Sequence, residues 1–522
     1  MKPLLTHLMA PGRLMAARLD ATGMYRTVTL GLLFISLCAL VAGTLEAIPY
    51  TALEQLISLF VAVVVALSTN WLCARLWKVA VNMESALITG LILYLLILPA
   101  QLAAITDVWL LAAAVALAIF SKYVFAWRKQ HIVNPAAAGL VLLALLYSFG
   151  FLPGYFESSW WVGQAALFVP LLIAGTFVVT KVRKWIPVLS FLIVGFIVYL
   201  IEDLLFFGNV TEASALRYWL SGPSLFLAFF MLTEPFTTPP TKHLQAGYGA
   251  LVGLFSQTTL FTNIGIKMTP ELALILGNVI FYPATLKRKL VLTLERVHEM
   301  ARHTYEFTFL KPIGLRYQAG QYLEWMLPHT ADNRGERRYF TIASAPSDAK
   351  VKIAIRFGEK VSSYKTALRA LAPGGKIIAS QLAGDFLLPG DNNKKIAFIA
   401  GGIGITPFMS QLGEMHYSGK RYNTVLFYAN NTEAEIAYKD QLQALSKTLP
   451  LKVVHVVAKE RVAGCELGFL TAGVLLKHTP DYKERYWYIS GPPGMVNAYK
   501  KMLREMKVPR KQIICDFFPG LA

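Results

Sequence analysis

The 522-residue sequence predicts a multidomain protein: a polytopic α-helical membrane domain of about ten transmembrane helices, then a β-barrel and an α/β domain. Hydrophobic residues make up 55% of the chain and charged residues 16%, whereas soluble domains carry about 25% charge. Residues 1–289 hold 18 Lys and Arg and 11 Asp and Glu, while residues 290–522 hold 32 and 20. Long apolar runs also give way to short β-rich runs near residue 290. These observations exclude a wholly soluble enzyme and predict three domains, at 1–286, 287–391 and 392–522.

Charge and cysteine content exclude several other classes of function. The net charge is +19, but the basic residues form no block, which argues against a nucleic-acid partner. The four cysteines (Cys38, Cys73, Cys465 and Cys515) include no pair with C-x-x-C spacing. This pattern argues against a disulfide framework, a zinc ribbon or an iron–sulfur cluster, so we predict no metal site.

Ten apolar runs in the first domain have the length needed to cross about 30 Å of hydrocarbon. The third run is short and contains Gly90, so we expect it to be tilted, re-entrant or broken. The runs are 28–47, 55–74, 85–100, 106–126, 135–152, 162–180, 186–207, 218–234, 246–263 and 270–286.

The charges of the loops predict how these runs are oriented, because positive loops stay on the cytoplasmic side. With a cytoplasmic N-terminus, sixteen Lys and Arg residues fall in inside loops, and only Arg217 and Lys267 fall outside. The K-R-K cluster at 287–289 then marks the return of the chain to the cytoplasm. We therefore predict a multi-pass protein in the lipid of the inner (cytoplasmic) cell membrane, with the C-terminal half in the cytoplasm.

Ionisable residues of the first domain bear on its chemistry. A transmembrane haem needs axial ligands, commonly histidine pairs, within its helices. Apart from His7, this domain contains only His131 and His243, and both fall in predicted loops, which argues against a haem-bearing membrane reductase. Glu202 and Asp203, near the end of the seventh run, are either ion or proton ligands or solvated acids at the outer interface.

Three short motifs stand out in the membrane half: N-P-A-A-A-G at 134–139, K-V-R-K-W at 181–185 and M-L-T-E-P-F-T-T-P-P at 231–240. Small residues allow close backbone approach, and proline breaks a helix, which is tolerated at membrane depth only inside protein or beside a cavity. Over residues 28–286 this half resembles the membrane flavoproteins Rnf D, of Rnf complexes, and Nqr B, of sodium-pumping NADH:quinone reductase. The resemblance implies a flavin held in the membrane and electrons passing through it.

One departure from that family concerns the attachment of the flavin. The family links FMN through its phosphate to a threonine in an S-G-A-T type sequence. The corresponding loop, 151–161, reads F-L-P-G-Y-F-E-S-S-W-W and contains no threonine, although Ser158 and Ser159 lie in it. We therefore expect a second flavin, FMN or riboflavin, without the family's covalent link.

The second half changes pattern twice. Strand-like runs at 290–297, 305–310 and 351–356 are separated by Gly and Pro and predict a β-barrel. From about 394, apolar strands alternate with helical stretches, which predicts a parallel α/β nucleotide-binding domain. The strands of this second pattern are 396–400, 424–428, 453–457 and 486–490.

The predicted barrel carries a set of residues suited to a flavin dinucleotide. An arginine can pair with a pyrophosphate, an aromatic ring can lie against the isoalloxazine, and a hydroxyl can bond to flavin N5. Ser362 and Ser363 at a predicted helix start offer donors to phosphate. The residues that carry this pattern in order are Arg338, Tyr339, Phe340 and Thr341.

The α/β domain carries three further signatures. A-G-G-I-G-I-T-P at 400–407 follows an apolar strand and contains Gly402, Gly404 and Thr406, and such glycines let a pyrophosphate approach the backbone. S-G-P-P-G-M at 490–495 follows the last of these strands and contains Gly491 and Pro492. D-F-F-P-G at 516–520 begins with Asp516.

All four signatures, in this order, resemble the ferredoxin–NADP reductase family. The resemblance implies a barrel that binds FAD, an α/β domain that binds NAD(P)H, and hydride transfer from nicotinamide C4 to flavin N5. It implies that Thr341, Thr406 and Asp516 lie at the reaction site. Here Phe340 replaces a more usual tyrosine and Ser490 replaces a common cysteine. The choice between NADH and NADPH stays open, because Asn431, after the second α/β strand, is neither an arginine nor an acid.

Together these features predict an NAD(P)H-dependent flavin oxidoreductase of the membrane. It would take electrons from cytoplasmic NAD(P)H onto FAD, then pass them to a membrane flavin and on to a quinone or an acceptor on the far side. Further electron-transfer proteins are possible partners. The alternatives are a redox-driven Na⁺ or H⁺ transporter and a membrane-anchored reductase of a soluble electron carrier.

Overall fold

A computed structural model describes residues 22–79, 82–101, 105–127, 130–154, 156–257, 267–284, 289–332, 334–358 and 361–517. The chain separates into two compact units, Met1–Lys289 and Leu290–Ala522. We call them the N-terminal and the C-terminal unit.

The N-terminal unit is helical. Its described helices are α1 (Met24–Thr44), α2 (Ala52–Leu76), α3 (Met83–Leu96), α4 (Ile105–Val124), α5 (Pro135–Ser148), α6 (Phe168–Val182), α7 (Trp185–Phe207), α8 (Glu212–Leu220), α9 (Ser224–Phe226), α10 (Lys242–Gln257) and α11 (Pro270–Phe281). Two short strands, β1 (Ala126–Trp127) and β2 (Gln130–His131), join α4 to α5.

Five helices among the described residues are long and apolar enough to cross a membrane: Met24–Thr44, Ala52–Leu76, Thr106–Val124, Ala165–Val182 and Trp185–Phe207. The predicted number of ten spans is not confirmed, because other predicted runs form shorter apolar helices. These are Met83–Leu96, Pro135–Ser148 and Pro270–Ala284. The predicted run 246–263 extends beyond the described residues.

The short helices begin or end where the sequence interrupts regular hydrogen bonding. Asn134 caps α5 by accepting a hydrogen bond from the amide of Ala137 (3.1 Å), and Pro135 takes the first helical position. The three residues of α9 continue into a π-helical turn, Leu227–Met231, directly before the T-E-P motif. Such turns occur often at functional sites.

Glycine allows two of the helices to pack closely. At Gly249 in α10, a Cβ would lie 2.2 Å from the carbonyl oxygen of Pro187 in α7 and 2.4 Å from Ser190 Oγ. At Gly247, two residues earlier in the same helix, a Cβ would meet only the edge of the Phe281 ring, at 3.3 Å. The contact between α7 and α10 therefore requires glycine at position 249.

The C-terminal unit contains two six-stranded sheets. The first is antiparallel, in the order β6-β5-β8-β3-β4-β7. Its strands are β3 (Leu290–Ala301), β4 (Thr304–Leu310), β5 (Tyr322–Met326), β6 (Arg337–Thr341), β7 (Lys350–Arg356) and β8 (Lys376–Ala383), and α12 (Ser363–Arg369) precedes β8.

The antiparallel sheet agrees only in part with the predicted β-barrel. Outer strands β6 and β7 share no ladder among the described residues. Beyond the end of β6, however, the amide of Ala343 donates to the carbonyl of Lys352 in β7 (2.8 Å), and that of Lys352 donates to Ser344 Oγ (3.1 Å). Closure of the sheet into a barrel therefore stays a prediction.

The second sheet is parallel, in the order β12-β11-β10-β9-β13-β14. Its strands are β9 (Ile396–Gly401), β10 (Thr424–Asn430), β11 (Leu451–Val457), β12 (Glu466–Leu467), β13 (Tyr486–Gly491) and β14 (Ile513–Phe517). Its helices are α13 (Thr406–Ser418), α14 (Lys439–Thr448), α15 (Ala472–His478) and α16 (Pro493–Glu505). The strand order reverses between β9 and β13, and ligands of open parallel sheets bind at the carboxyl edge of such a reversal.

Hydrogen bonds join the two sheets of this unit at α13. Ser410 Oγ donates to the carbonyl of Ser344 (2.6 Å), and Gln411 Nε2 donates to that of Phe386 (2.7 Å). Tyr488 in β13 donates to the carbonyl of Leu387 (2.8 Å). All three donors are buried, and they hold segments that flank the antiparallel strands against α13 and β13.

We predict that Gly249→Ala destabilises the N-terminal unit by about 1–3 kcal/mol, because the added methyl group overpacks the contact between α7 and α10. The thermal unfolding midpoint of the full-length protein in detergent should fall, as followed by tryptophan fluorescence. Gly247→Ala, in the same helix, is the matched control and should leave the midpoint almost unchanged. Equal midpoints for both variants would contradict this account of the packing.

Candidate functional site

Arg338 lies in β6 with its guanidinium directed at a loop of the same sheet. Nη1 donates to the carbonyls of Gly335 (2.8 Å) and Arg337 (2.7 Å), and Nη2 lies 3.3 Å from Asp332 Oδ1. The guanidinium also stands over the ring of Tyr364, 5.2 Å from its centroid. Burial lowers the pKa of Arg338, but the neighbouring Asp332 carboxylate acts in the opposite direction.

Ser362 and Ser363, predicted to bind phosphate, stand at the start of α12. Ser362 caps this helix through the amide of Lys365 (3.3 Å). Ser363 makes two hydrogen bonds with Asp332. Its amide donates to Asp332 Oδ2 (3.3 Å), and its hydroxyl accepts from the amide of Asp332 (2.9 Å). The structure thus brings Ser363 and Arg338 to opposite sides of one anion.

That anion is the carboxylate of Asp332. Burial alone would raise its pKa, but the hydrogen bond from the amide of Arg334 and the charges of Arg338 and Arg334 outweigh burial and lower it. A carboxylate is therefore held between the arginine and the serine that the sequence assigned to phosphates. Sequence reasoning missed Asp332, since it lies six residues before Arg338 in a polar stretch with no distinguishing pattern.

The other residues of β6 are split between its two faces. Tyr339 is 44% exposed, donates to Gln381 Oε1 (3.0 Å) and packs edge-on against Tyr322. Phe340 contacts the ring of Tyr364 (5.9 Å between centroids), the same ring over which Arg338 stands. Tyr364, which the sequence did not indicate, therefore supports both Arg338 and Phe340.

Thr341 ends β6 and is buried, and its Oγ1 has no hydrogen-bond partner among the described residues. A buried hydroxyl without a partner is uncommon and calls for an explanation. A flavin ring that offers a nitrogen to this hydroxyl would supply the missing bond, so these residues fit FAD. When bound, that group accepts hydride and releases electrons singly.

The glycines after β9 differ in their roles. Gly402 has a φ of +51°, a left-handed conformation that favours glycine. At Gly404, a Cβ would lie 2.3 Å from the carbonyl oxygen of Ser490 and 2.7 Å from Gly491 Cα. Gly404 therefore lets the loop after β9 lie against the end of β13, which shapes the edge where the strand order reverses.

The predicted NAD(P)H residues and Asp516 lie at this carboxyl edge. Residue 490 of β13 pairs with residue 400 of β9 and residue 516 of β14, which sets these three positions in one row. Gly491 and Pro492 follow Ser490 and lead into α16, whereas Thr406 begins α13 and is buried. Residues 518–520 of the fourth signature lie outside the described residues.

Two buried hydroxyl groups lie at this edge and are relevant to what it binds. Ser490 Oγ has no hydrogen-bond partner among the described residues, while Thr406 Oγ1 donates weakly to the carbonyl of Ile403 (3.3 Å). Polar groups at an edge of this kind suit a nicotinamide dinucleotide. Sequence reasoning missed Arg356 of β7, which pairs with Glu435 beyond β10 (2.8 Å) and borders Gly402.

In the N-terminal unit, two of the motifs meet. Asn134 of N-P-A-A-A-G donates from Nδ2 to the carbonyl of Met231 (3.2 Å), the first residue of the M-L-T-E-P-F-T-T-P-P motif. His131 Nε2 lies 2.6 Å from Glu234 Oε1. The sequence placed His131 in a loop and gave no sign of this pairing, since the two residues are 103 positions apart.

The loop at 156–161 does not fit a covalently attached flavin phosphate. Ser158 donates to the buried carboxylate of Glu271, and Ser159 Oγ donates to the carbonyl of Leu96 (3.0 Å). Trp160 Nε1 also donates to Glu271 Oε1 (2.8 Å). Both serine hydroxyls are engaged, and a phosphate here would meet a carboxylate.

Two family models match separate parts of the chain. Residues 151–284 match the NQR2, RnfD, RnfE family, and residues 398–501 match the oxidoreductase NAD-binding domain. Both resemblances predicted from the sequence are thereby confirmed. The first family, with the apolar helices, indicates a membrane protein.

The curated relatives match less than half of the chain. Oxidoreductase NAD-binding domain-containing protein 1 of Pongo abelii is 26% identical over 218 residues, which is 38% of this chain and 69% of that protein. The ferredoxin reductase component of 3-ketosteroid-9-alpha-monooxygenase of Mycobacterium tuberculosis is 27% identical over 225 residues, 41% of this chain and 58% of that protein. The chain thus spans under two thirds of the length of the mycobacterial relative.

Among solved structures, the FAD/NAD-binding domain of nitric oxide dioxygenase from Vibrio cholerae aligns with 44% of this chain and 98% of its own, at 18% identity and a TM-score of 0.40.

Together the two family matches support a membrane flavoprotein oxidoreductase that uses NAD(P)H, as the sequence predicted. The match to the NQR2, RnfD, RnfE family precedes the match to the oxidoreductase NAD-binding domain in one chain. The individual site residues stay predictions.

We predict that Arg338→Ala weakens FAD binding about ten- to a hundredfold. A hydrogen bond to a charged group contributes about 1.5–3 kcal/mol, and about 1.4 kcal/mol corresponds to tenfold. Flavin fluorescence during titration of the flavin-depleted protein measures the affinity. Arg369→Ala removes a cation that stands over Tyr305, outside this cluster, and should leave FAD binding unchanged. Equal affinity for both variants would show that Arg338 does not bind the cofactor.

We predict that Gly404→Ala raises the KM for NAD(P)H about ten- to a hundredfold while FAD content is retained. The methyl group must displace the backbone at Ser490 and Gly491, and misplacement by about 1 Å has effects of this size. Steady-state rates with ferricyanide give the KM, and visible absorbance gives the FAD content. Gly473→Ala in α15, where the nearest atom is 3.8 Å from the new Cβ, is the control. An unchanged KM would contradict the assignment of this edge.

Proposed function

We propose that the protein is a one-chain NAD(P)H dehydrogenase of the cell membrane, with the C-terminal unit in the cytoplasm. Electrons from NAD(P)H pass through FAD in the C-terminal unit to a second flavin, FMN or riboflavin, in the membrane. From there they reach a quinone or an acceptor on the far side. The donor is either NADH or NADPH, and further electron-transfer proteins are compatible with the route.

One observation carries the first half of this proposal: within the C-terminal unit, buried hydrogen bonds fix the candidate FAD strand and the candidate NAD(P)H edge together. Ser410 in α13 holds Ser344, three residues beyond Thr341, and the same helix begins at Thr406. A hydride donor and a hydride acceptor must meet within a few ångströms, and pre-set positions lower the barrier to their reaction. Joined elements of this kind support direct transfer inside the unit.

The second half of the proposal follows from the nature of the N-terminal unit. A plain anchor needs only an apolar helix, whereas this unit buries polar side chains where its motifs meet, around Asn134, Asn278 and Tyr248. Buried polar residues among membrane helices are expensive and usually functional. This supports a unit that carries electrons, and not an anchor for a reductase of a soluble carrier.

The flavin content of the purified full-length protein tests the electron route. We expect FAD and a second flavin in comparable amounts, both released into the supernatant by acid precipitation, because the loop at 156–161 does not fit covalent attachment. Chromatography of the supernatant and fluorescence of the precipitated protein on a gel measure the two fractions. FAD alone would favour the anchored reductase, and a fluorescent protein band would contradict the non-covalent assignment.

Transfer across the membrane is tested in proteoliposomes with NADH or NADPH outside and an impermeant acceptor such as ferricyanide inside. Reduction of the enclosed acceptor is the expected result, and liposomes with protein inactivated by heat are the control. Absence of reduction, with normal reduction of external quinone, would restrict the route to membrane quinone. A rate that requires Na⁺ would favour a redox-driven transporter.

A further inference from the structure

The two membrane motifs create an ionisable centre that the proposed electron route leaves without a role. Glu234 of T-E-P and His131, three residues before N-P-A-A-A-G, face each other with 2.6 Å between Oε1 and Nε2. Both side chains are largely buried, at 19% and 14% exposure. The second carboxylate oxygen, Glu234 Oε2, is buried without a hydrogen-bond partner among the described residues.

The backbone around this pair is held by buried side chains, so the pair has a fixed geometry. Thr238 Oγ1 donates to the carbonyl of Glu234 (2.6 Å). Asn134 holds the carbonyl of Met231, and its own amide donates to Asn278 Oδ1 in α11 (2.8 Å). These hydrogen bonds hold the backbone of the broken segment on both sides of the pair.

The groups that face the pair come from several elements. Lys122 of α4 lies close enough to interact electrostatically with Glu234, and its Nζ donates to the carbonyl of Ser85 in α3 (2.8 Å). Tyr248 of α10 also interacts electrostatically with Glu234, and it accepts a hydrogen bond from Asn278 Nδ2 (2.7 Å). Phe236 covers the His131 ring edge-on at 5.3 Å, and Lys289 Nζ stands 6.0 Å from the centroid of Phe236.

The charges around Glu234 and His131 indicate which ligand this pair binds. Lys122 supplies positive charge near the Glu234 carboxylate, which disfavours a metal cation in the same place. An imidazole and a carboxylate in contact, with one bare carboxylate oxygen, can instead take up and release a single proton without rearrangement. In surroundings of low dielectric constant, negative charge arriving nearby favours that uptake strongly.

We propose that Glu234 and His131 form the proton-exchanging site of the N-terminal unit, which takes up a proton and supplies it as electrons leave for a quinone. This inference rests on the proposed quinone reductase function. The overall reaction, NAD(P)H + H⁺ + quinone → NAD(P)⁺ + quinol, moves two electrons as hydride from NAD(P)H. NAD(P)H loses two electrons and one proton, and that proton returns to water. The quinone gains the two electrons and two protons, which the pair passes on one after the other. The pair is refilled from water each time, so the net uptake is one proton.

The test measures two activities of the full-length protein in detergent across pH. Electron transfer from NADH to a soluble short-chain ubiquinone requires the N-terminal unit, whereas reduction of ferricyanide requires only the C-terminal unit. We expect Glu234→Gln to lower the quinone rate about a hundredfold, within the range of general acid–base catalysis, and to abolish its decline at high pH. The ferricyanide rate should stay within about twofold of the wild type, because the variant does not touch the reductase residues.

Two further variants separate a proton-exchanging role from a structural one. Glu234→Asp keeps a carboxyl group and should restore part of the quinone rate together with the pH dependence. Glu212→Gln, which neutralises an exposed acid in the first turn of α8, should behave as the wild type. Equal loss in the Gln and Asp variants with an unchanged pH profile would show that the residue serves only the fold.

The remaining outcomes also test the proposed role of Glu234 and His131. A Glu234→Gln protein with the wild-type quinone rate and pH profile would overturn the inference, as would loss of the ferricyanide activity in parallel. A wild-type quinone rate that depends on Na⁺ and not on pH would assign the centre to a metal cation instead. Absence of any quinone reduction by the wild type would contradict the proposed function and not this site.

Discussion

Backbone amides and carbonyls must be hydrogen-bonded wherever water is absent, and this requirement shapes the N-terminal unit. Its sequence breaks helices with proline at several places, and each break leaves carbonyls and amides without regular partners. Buried side chains supply the missing bonds: Asn134 and Thr238 serve the T-E-P segment, and Ser58 accepts the amide of Ala100 after α3 (2.8 Å). The short helices and the polar centre where the motifs meet are two results of one constraint.

In the C-terminal unit the corresponding constraint is close approach of backbone to backbone. Gly404 has no room for a side chain beside Ser490 and Gly491, so the loop after β9 lies close against the end of β13. The same edge is held against the antiparallel sheet by hydrogen bonds from Ser410, Gln411 and Tyr488. The predicted dinucleotide site at the edge and the predicted flavin site at β6 both depend on how the two sheets are joined.

The two units contain carboxylates with different neighbours and different roles. Around Arg338 the anion is a carboxylate of the protein, Asp332, which keeps the guanidinium and the start of α12 in position. Around Glu234 the carboxylate is the functional group, and its neighbours are an imidazole and a lysine. The first arrangement holds the guanidinium and the start of α12 in place, and the second is suited to exchanging a proton.

Local sequence determined the helical membrane half, the change of pattern near residue 290, and the strand, loop and helix around Gly402 to Thr406, because periodicity, proline and closely spaced glycines act within a few residues. It also carried the resemblances that the family models bear out. It did not determine the number of full-length spans, since hydropathy does not reveal where a helix is interrupted. Nor did it indicate Asp332 against Arg338, because nothing in that polar stretch distinguishes one acid from its neighbours. It did not indicate His131 against Glu234 either, because these two residues are 103 positions apart. Only the packing and register of the chain bring these side chains together, so the tertiary structure alone determines these contacts.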